Sequence, residues 1–158
     1  MIVQDVLLRV LPLVDPGRVF ADAEWQTLTA MADTMLEGCP VAITPPEVAD
    51  NVERFLAVGR SKRAWRIRFL LHLIEWTPIP LFGRPFTELN KDERKKLIVE
   101  KYQPGRRIWG ICAKIRFLVY VGIYGDSRAH AVAGYEPASA RVRLRRSKNG
   151  VERQVVGS

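Results

Sequence analysis

The chain is poor in the residues that carry most enzyme chemistry, with two histidines and two cysteines among 158 residues. Cys39 and Cys112 lie 73 residues apart and lack the close Cys and His neighbours that a zinc site needs. Both are expected to be buried free thiols, because an isolated cysteine behaves as a small apolar residue. No glycine-rich phosphate loop occurs, and no dinucleotide fingerprint follows a strand. Sustained period-2 alternation is absent until the last twenty residues, which excludes a β body. The longest apolar run in the second half, Ile108 to Tyr124, contains Lys114 and Arg116. It falls short of the ~20 residues that cross a bilayer, so no transmembrane segment is expected. Met1 to Pro12 shows no basic leader, twin arginine or small-residue cleavage site, which predicts a cytoplasmic protein.

Basic residues are scarce at first and abundant later. Residues 1–59 hold 3 basic and 9 acidic side chains, residues 60–137 hold 16 and 7, and residues 138–158 hold 6 and 1. Such asymmetry suits nucleic acid, an anionic membrane surface or an acidic protein partner, without choosing among them. Arg60, Lys62, Arg63, Arg66 and Arg68 form one cluster; Arg141, Arg143, Arg145, Arg146 and Lys148 form another. No helix-turn-helix spacing, zinc module or RNA-recognition motif accompanies them, and the aromatics do not alternate with the arginines as a stacking platform. Nucleic acid is therefore not the expected partner.

What is present is helical pattern with clear punctuation. With 47% apolar residues the chain can bury one core. The pattern predicts an all-α, irregular bundle of about five to six helices over residues 1–137, followed by a basic tail or arm over 138–158. Ile2 to Val14 reads as a short helix closed by Asp15-Pro16-Gly17. Asp22 can cap a second, in which Trp25, Leu28, Met31, Ala32, Met35 and Leu36 recur until Gly38. Thr44-Pro-Pro-Glu47 and Asn90-Lys-Asp-Glu93 each place a capping side chain three residues before a carboxylate. These predict helices running to about Gly59 and from Lys91 to Tyr102. Thr77 to Phe86 carries three prolines and a glycine among Ile79, Leu81, Phe82 and Phe86, and predicts an extended apolar connector. It either packs on its own bundle or contributes to a binding surface. In the tail, Asn149-Gly150 is a type I′ hairpin signal inside partial alternation. That segment is either a flexible basic tail or an arm ordered on a partner.

Two helices have polar faces too narrow for a small bundle. Over residues 62–76, Arg68, His72 and Glu75 fall together on the wheel, and apolar side chains from Trp65 to Trp76 cover most of the rest. That strip is expected to face water, with His72 as a solvated side chain beside a carboxylate. From Arg106 to Tyr124, Ile108, Ile111, Cys112, Ile115, Leu118, Val119 and Gly122 make one stripe. Phe117, Tyr120, Val121 and Tyr124 make a second on nearly the opposite side. A helix apolar on two faces lies at the centre of its bundle or between the bundle and a partner. His130 is expected to pack or cap, and no constellation of nucleophile, base or metal ligands emerges.

Three stretches resemble landmarks of the gluconate 2-dehydrogenase subunit 3 family, the small helical subunits that accompany flavin-dependent GMC-type dehydrogenases. Phe20 to Leu36 resembles its opening helix. Phe82-Gly-Arg-Pro-Phe-Thr-Glu-Leu-Asn-Lys-Asp-Glu-Arg94 resembles its middle landmark. Tyr124-Gly-Asp with Gly134-Tyr-Glu-Pro137 resembles its closing one. Trp76 to Tyr124 is also similar to the helical N-terminal segment of long-chain fatty alcohol oxidases, themselves GMC enzymes. The resemblance implies a non-catalytic small subunit without a cofactor of its own, in a hetero-oligomer whose GMC-type flavoprotein large subunit holds FAD. Periplasmic members usually carry a twin-arginine export signal; without one, the implied role is stabilisation of the flavoprotein in the cytoplasm. Trp76, Phe82, Phe86, Phe117, Tyr120, Tyr124 and Tyr135 are the expected partner-binding residues, with Phe117, Tyr120 and Tyr124 lying on the partner or on the connector.

Overall fold

Proline, glycine and capping carboxylates set the helix boundaries in the computed structural model, which describes residues 13–58, 64–102, 107–132 and Gly134. The helices are α1 (Asp22–Met35), α2 (Pro45–Val58), α3 (Ala64–Trp76), α4 (Ile79–Phe82), α5 (Lys91–Lys96), α6 (Arg107–Tyr124) and α7 (Ser127–Val132). A 3₁₀ turn, Phe86–Glu88, precedes α5, and a π turn, Leu97–Lys101, continues it. No strand occurs among the described residues, so the architecture is all-α as the pattern predicts. Residues 2–12 of the helix predicted at Ile2 to Val14, the arginine-rich residues 60–63 and the hairpin signal at 149–150 lie outside the described residues; Leu13 and Val14 are described and are not helical.

The caps show why the chain turns where it does. Glu47 accepts from the Thr44 amide at 2.7 Å and the Thr44 hydroxyl at 2.8 Å, fixing the start of α2. Asn90 Oδ1 accepts from the Glu93 amide at 2.9 Å, and Glu93 accepts from the Asn90 amide at 3.0 Å, giving α5 a reciprocal cap. At α1 the cap differs from expectation. Asp22 is the first helical residue, and it is Glu24 that reaches back to the Ala21 amide at 2.8 Å.

The Thr77 to Phe86 connector is a correction to the sequence reading, for most of it is coiled and not extended. Pro78 and Pro80 occupy the first turn of α4, where missing amides have no intrahelical partner anyway. Gly83 then ends the turn at φ 69°, in the left-handed region that glycine enters without a Cβ clash.

Around the core, α1 packs on α2 and α3, and α6 packs on α2, α3 and α1. Phe20, Leu28, Met31, Val48, Val52, Leu71, Ile74, Phe86, Ile115, Val119 and Ile123 fill the space between them. The closest approach is at Gly122, where a Cβ would stand 2.7 Å from Val52 Cγ2 and 2.8 Å from the Val48 carbonyl oxygen. Glycine is required there because the two helix backbones nearly touch. Asn51 ties the same crossing by donating to the Gly122 carbonyl at 3.1 Å. Arg128 on α7 then clamps the end of the bundle, donating to the Ala42 carbonyl at 2.7 Å, Glu47 at 3.0 Å and Asp126 at 2.9 Å. Those contacts hold the Asp126 carboxyl far below its ordinary range, Arg128 being the main cause. Glu47 is lowered as well, first by the Thr44 amide and hydroxyl and then by Arg128.

Candidate interaction surface

Besides the Arg128 clamp, chemistry-bearing side chains come together between α1 and α3, where Glu24 is fully buried and His72 remains 29% exposed. The Arg68, His72 and Glu75 strip, expected to face water, is turned against α1. Glu24, with a fully buried side chain, accepts from Arg68 Nε at 2.8 and 2.9 Å and lies 3.0 Å from His72 Nε2. One turn further along α3, Glu75 accepts from the Thr27 hydroxyl at 2.9 Å and from the Thr87 hydroxyl. The physical reason for the inversion is Glu24 itself. A carboxylate buried in α1 is tolerated only where cations and donors meet it, and the α3 strip supplies them. Thr77 and Tyr102 extend the polar interior, their hydroxyls 3.0 Å apart, and burial pushes the Tyr102 hydroxyl pKa upward.

This network is built to hold helices together. Two surface clefts flank the bundle, one lined by Asn51, Arg54, Phe55, Leu56, Val58, Val121 and Gly125, the other including Trp25, Asp33, Pro45, Thr87 and Arg94. Glu24, Arg68, His72 and Glu75 line neither of them, although Thr87, which donates to Glu75, lines the second. No cluster of three or more His, Cys, Asp or Glu placed to hold a metal occurs among the described residues. Both thiols are free; Cys112 is buried and its pKa is raised to about 11 by desolvation.

With the polar strip inside, apolar side chains are left outside. On α3 and α4, Phe69, Trp76, Ile79 and Leu81 are exposed, Trp76 at 67%. On α6 the face opposite Cys112, Ile115 and Val119 carries Phe117 at 69% exposure, with Tyr120 and Tyr124 beside it. The two tyrosine rings stack with centroids 6.1 Å apart, and the Arg116 guanidinium lies 5.9 Å from the Tyr120 centroid.

The seven expected binding residues thus separate. Trp76, Phe117, Tyr120 and Tyr124 are on the surface. Phe86 is a correction: it is fully buried and stacks on Tyr102 at 6.5 Å, because the 3₁₀ turn points its ring into the core under Arg94. Phe82 is half-buried against the same core. The connector therefore leaves the α6 stripe uncovered. Tyr135 lies outside the described residues.

The sequence reading passed over Phe55 and Val58, both strongly exposed on α2. The signal was present, since Val48, Val52 and Leu56 already form a complete inward stripe and Phe55 and Val58 fall to its side. No family model matches the chain, and no curated protein or solved structure matches it. The family resemblance rests on its motifs alone.

Proposed function

We propose that the chain is a non-catalytic helical subunit that binds a larger protein, and that this partner is an FAD-dependent oxidoreductase of the GMC type acting on an alcohol, sugar or sterol. The observation that carries the binding role is the α6 face, where Phe117, Tyr120 and Tyr124 stand exposed on a helix whose opposite face already fills the core. Aromatic residues exposed side by side are characteristic of interface centres, whereas exposed apolar residues scattered singly are ordinary. Partner type is supported by the resemblance of Phe20 to Leu36, Phe82 to Arg94 and Tyr124 to Pro137 to subunit 3 landmarks.

In this reading the complex is a cytoplasmic hetero-oligomer whose flavin, catalytic base and substrate pocket all belong to the large subunit. The small subunit acts by covering apolar surface on its partner and stabilising the folded form by mass action. No helix among the described residues is long and apolar enough to cross a membrane. Co-expression with a GMC flavoprotein, followed by purification through a tag on the flavoprotein, tests the assignment. A stoichiometric complex is expected. A small subunit that stays monomeric and leaves the flavoprotein's yield and flavin content unchanged would sink it.

A further inference from the structure

Beside the aromatic stripe of α6 runs the cleft between α2 and α6, about 620 Å³, lined mainly by Phe55, Leu56, Val58 and Val121. Val121 belongs to both features, so cleft and stripe join. At 100° per residue, Lys114 and Arg116 fall on opposite margins of the stripe, and Arg54 stands at the cleft's edge. These three cations have no carboxylate partner among the described residues, as holds also for Arg66, Lys96 and Lys101 elsewhere, whereas Arg18, Arg68, Arg84, Lys91, Arg94, Lys95 and Arg128 do have one. The groove's walls are fixed beforehand by the Gly122 contact and the Asn51 and Arg128 ties.

From this arrangement we infer that the α2–α6 groove receives an amphipathic helix of the partner protein whose apolar stripe is flanked on both sides by carboxylates. The inference rests on the proposed binding role and names the chemistry of what is bound. An apolar floor calls for apolar anchors, and the cations that flank it, Arg54 at the cleft's edge and Arg116 on the far margin of the stripe, call for acids on both sides of them. A helix fits better than an extended segment. The helical walls have their amides already bonded within α2 and α6, so an extended chain would bury its own backbone groups unpaired, while a helix arrives with them satisfied. A recessed groove also suits an inserted helix, where a lipid surface would need a protruding face.

The test uses a fluorescein-labelled helical peptide with leucines at helical spacing flanked by glutamates, a counterpart with lysines in their place, and vesicles of phosphatidylglycerol and phosphatidylcholine. Saturable binding of the acidic peptide is expected, falling about tenfold in Lys114→Glu/Arg116→Glu and weakening with salt. Phe55→Ser/Phe117→Ser should lose it while keeping the wild-type melting temperature. The inference is overturned if the acidic peptide does not bind, if the lysine peptide binds equally, or if the chain prefers the anionic vesicles. A flavoprotein that forms the complex should displace the acidic peptide, and a complex formed with the peptide still seated would overturn the groove as the partner's site. Should the acidic peptide bind while no GMC flavoprotein does, the groove chemistry stands and the flavoprotein assignment fails.

Discussion

Replacing Glu24 with alanine should be among the most damaging single changes available in the interior, because four interactions converge on one carboxylate. Arg68, whose side chain is only 12% exposed, would lose two hydrogen bonds, His72 would lose a partner at 3.0 Å, and the Ala21 amide would lose the cap that starts α1. Removing one member of a buried ion pair costs about 3–5 kcal/mol, since the surviving charge loses compensation for its burial. Against a total stability of roughly 5–15 kcal/mol for a domain, that loss shows clearly. Glu24→Gln keeps the shape and one acceptor, so a smaller loss of about 1–3 kcal/mol is expected. Glu24→Leu combined with Arg68→Met and His72→Leu should recover part of the stability, because the buried charges are removed together while the Ala21 amide still lacks its cap. Urea titrations followed by circular dichroism give the midpoints, and an unchanged slope would show that stability itself moved. The reasoning fails if Glu24→Ala costs less than about 1 kcal/mol, or if the triple variant is no more stable than the single one.

Gly122→Ala should destabilise the fold by about 1–3 kcal/mol, since its Cβ meets the Val48 backbone oxygen and cannot displace it; a melting temperature equal to wild type would contradict this. Phe86→Ala should cost about 3–5 kcal/mol in the same assay, whereas Phe117→Ala, on the surface, should leave the midpoint within experimental scatter. In a thiol-titration assay at neutral pH, Cys39 should react first and Cys112, buried and raised to about 11, only on unfolding; early modification of Cys112 would refute its placement. Glu47 and Asp126 have folded pKa values below their ordinary ones, so their contribution is present above that range and lost as pH falls below about 4. Acidification should thus undock α7, seen in the methyl resonance of buried Ala129, and Arg128→Met should show the undocked signal already at neutral pH.

Helix positions were legible in the sequence because caps are local. Thr44 with Glu47 and Asn90 with Glu93 specify their turns within four residues, whatever the rest of the chain does. The second stripe of α6 was legible too, since periodicity alone shows that one helix cannot bury two opposite faces. Periodicity could not tell inside from outside on α3. Its polar strip is narrow and its apolar arc wide, which reads as a core helix wetted on one side. The buried Glu24, 44 residues away, reverses that assignment and leaves Phe69 and Trp76 exposed. The connector misled for a related reason: proline forbids a helix interior but suits a first turn, and which applies depends on where the helix starts.

The proposed role puts the α6 stripe against a GMC flavoprotein, and one comparison tests that most directly. Wild type, Phe117→Ala/Tyr124→Ala and His72→Ala should each be co-expressed with a GMC flavoprotein carrying the tag, and the recovered complexes measured for subunit ratio, flavin content and turnover. Truncating interface anchors can cost about 2 kcal/mol or more each, so the double variant should be largely lost from the complex while folding normally on its own. His72→Ala should lower thermal stability yet assemble and turn over as wild type does. Full recovery of the double variant, or a flavin-loaded complex silenced by His72→Ala alone, would contradict the account.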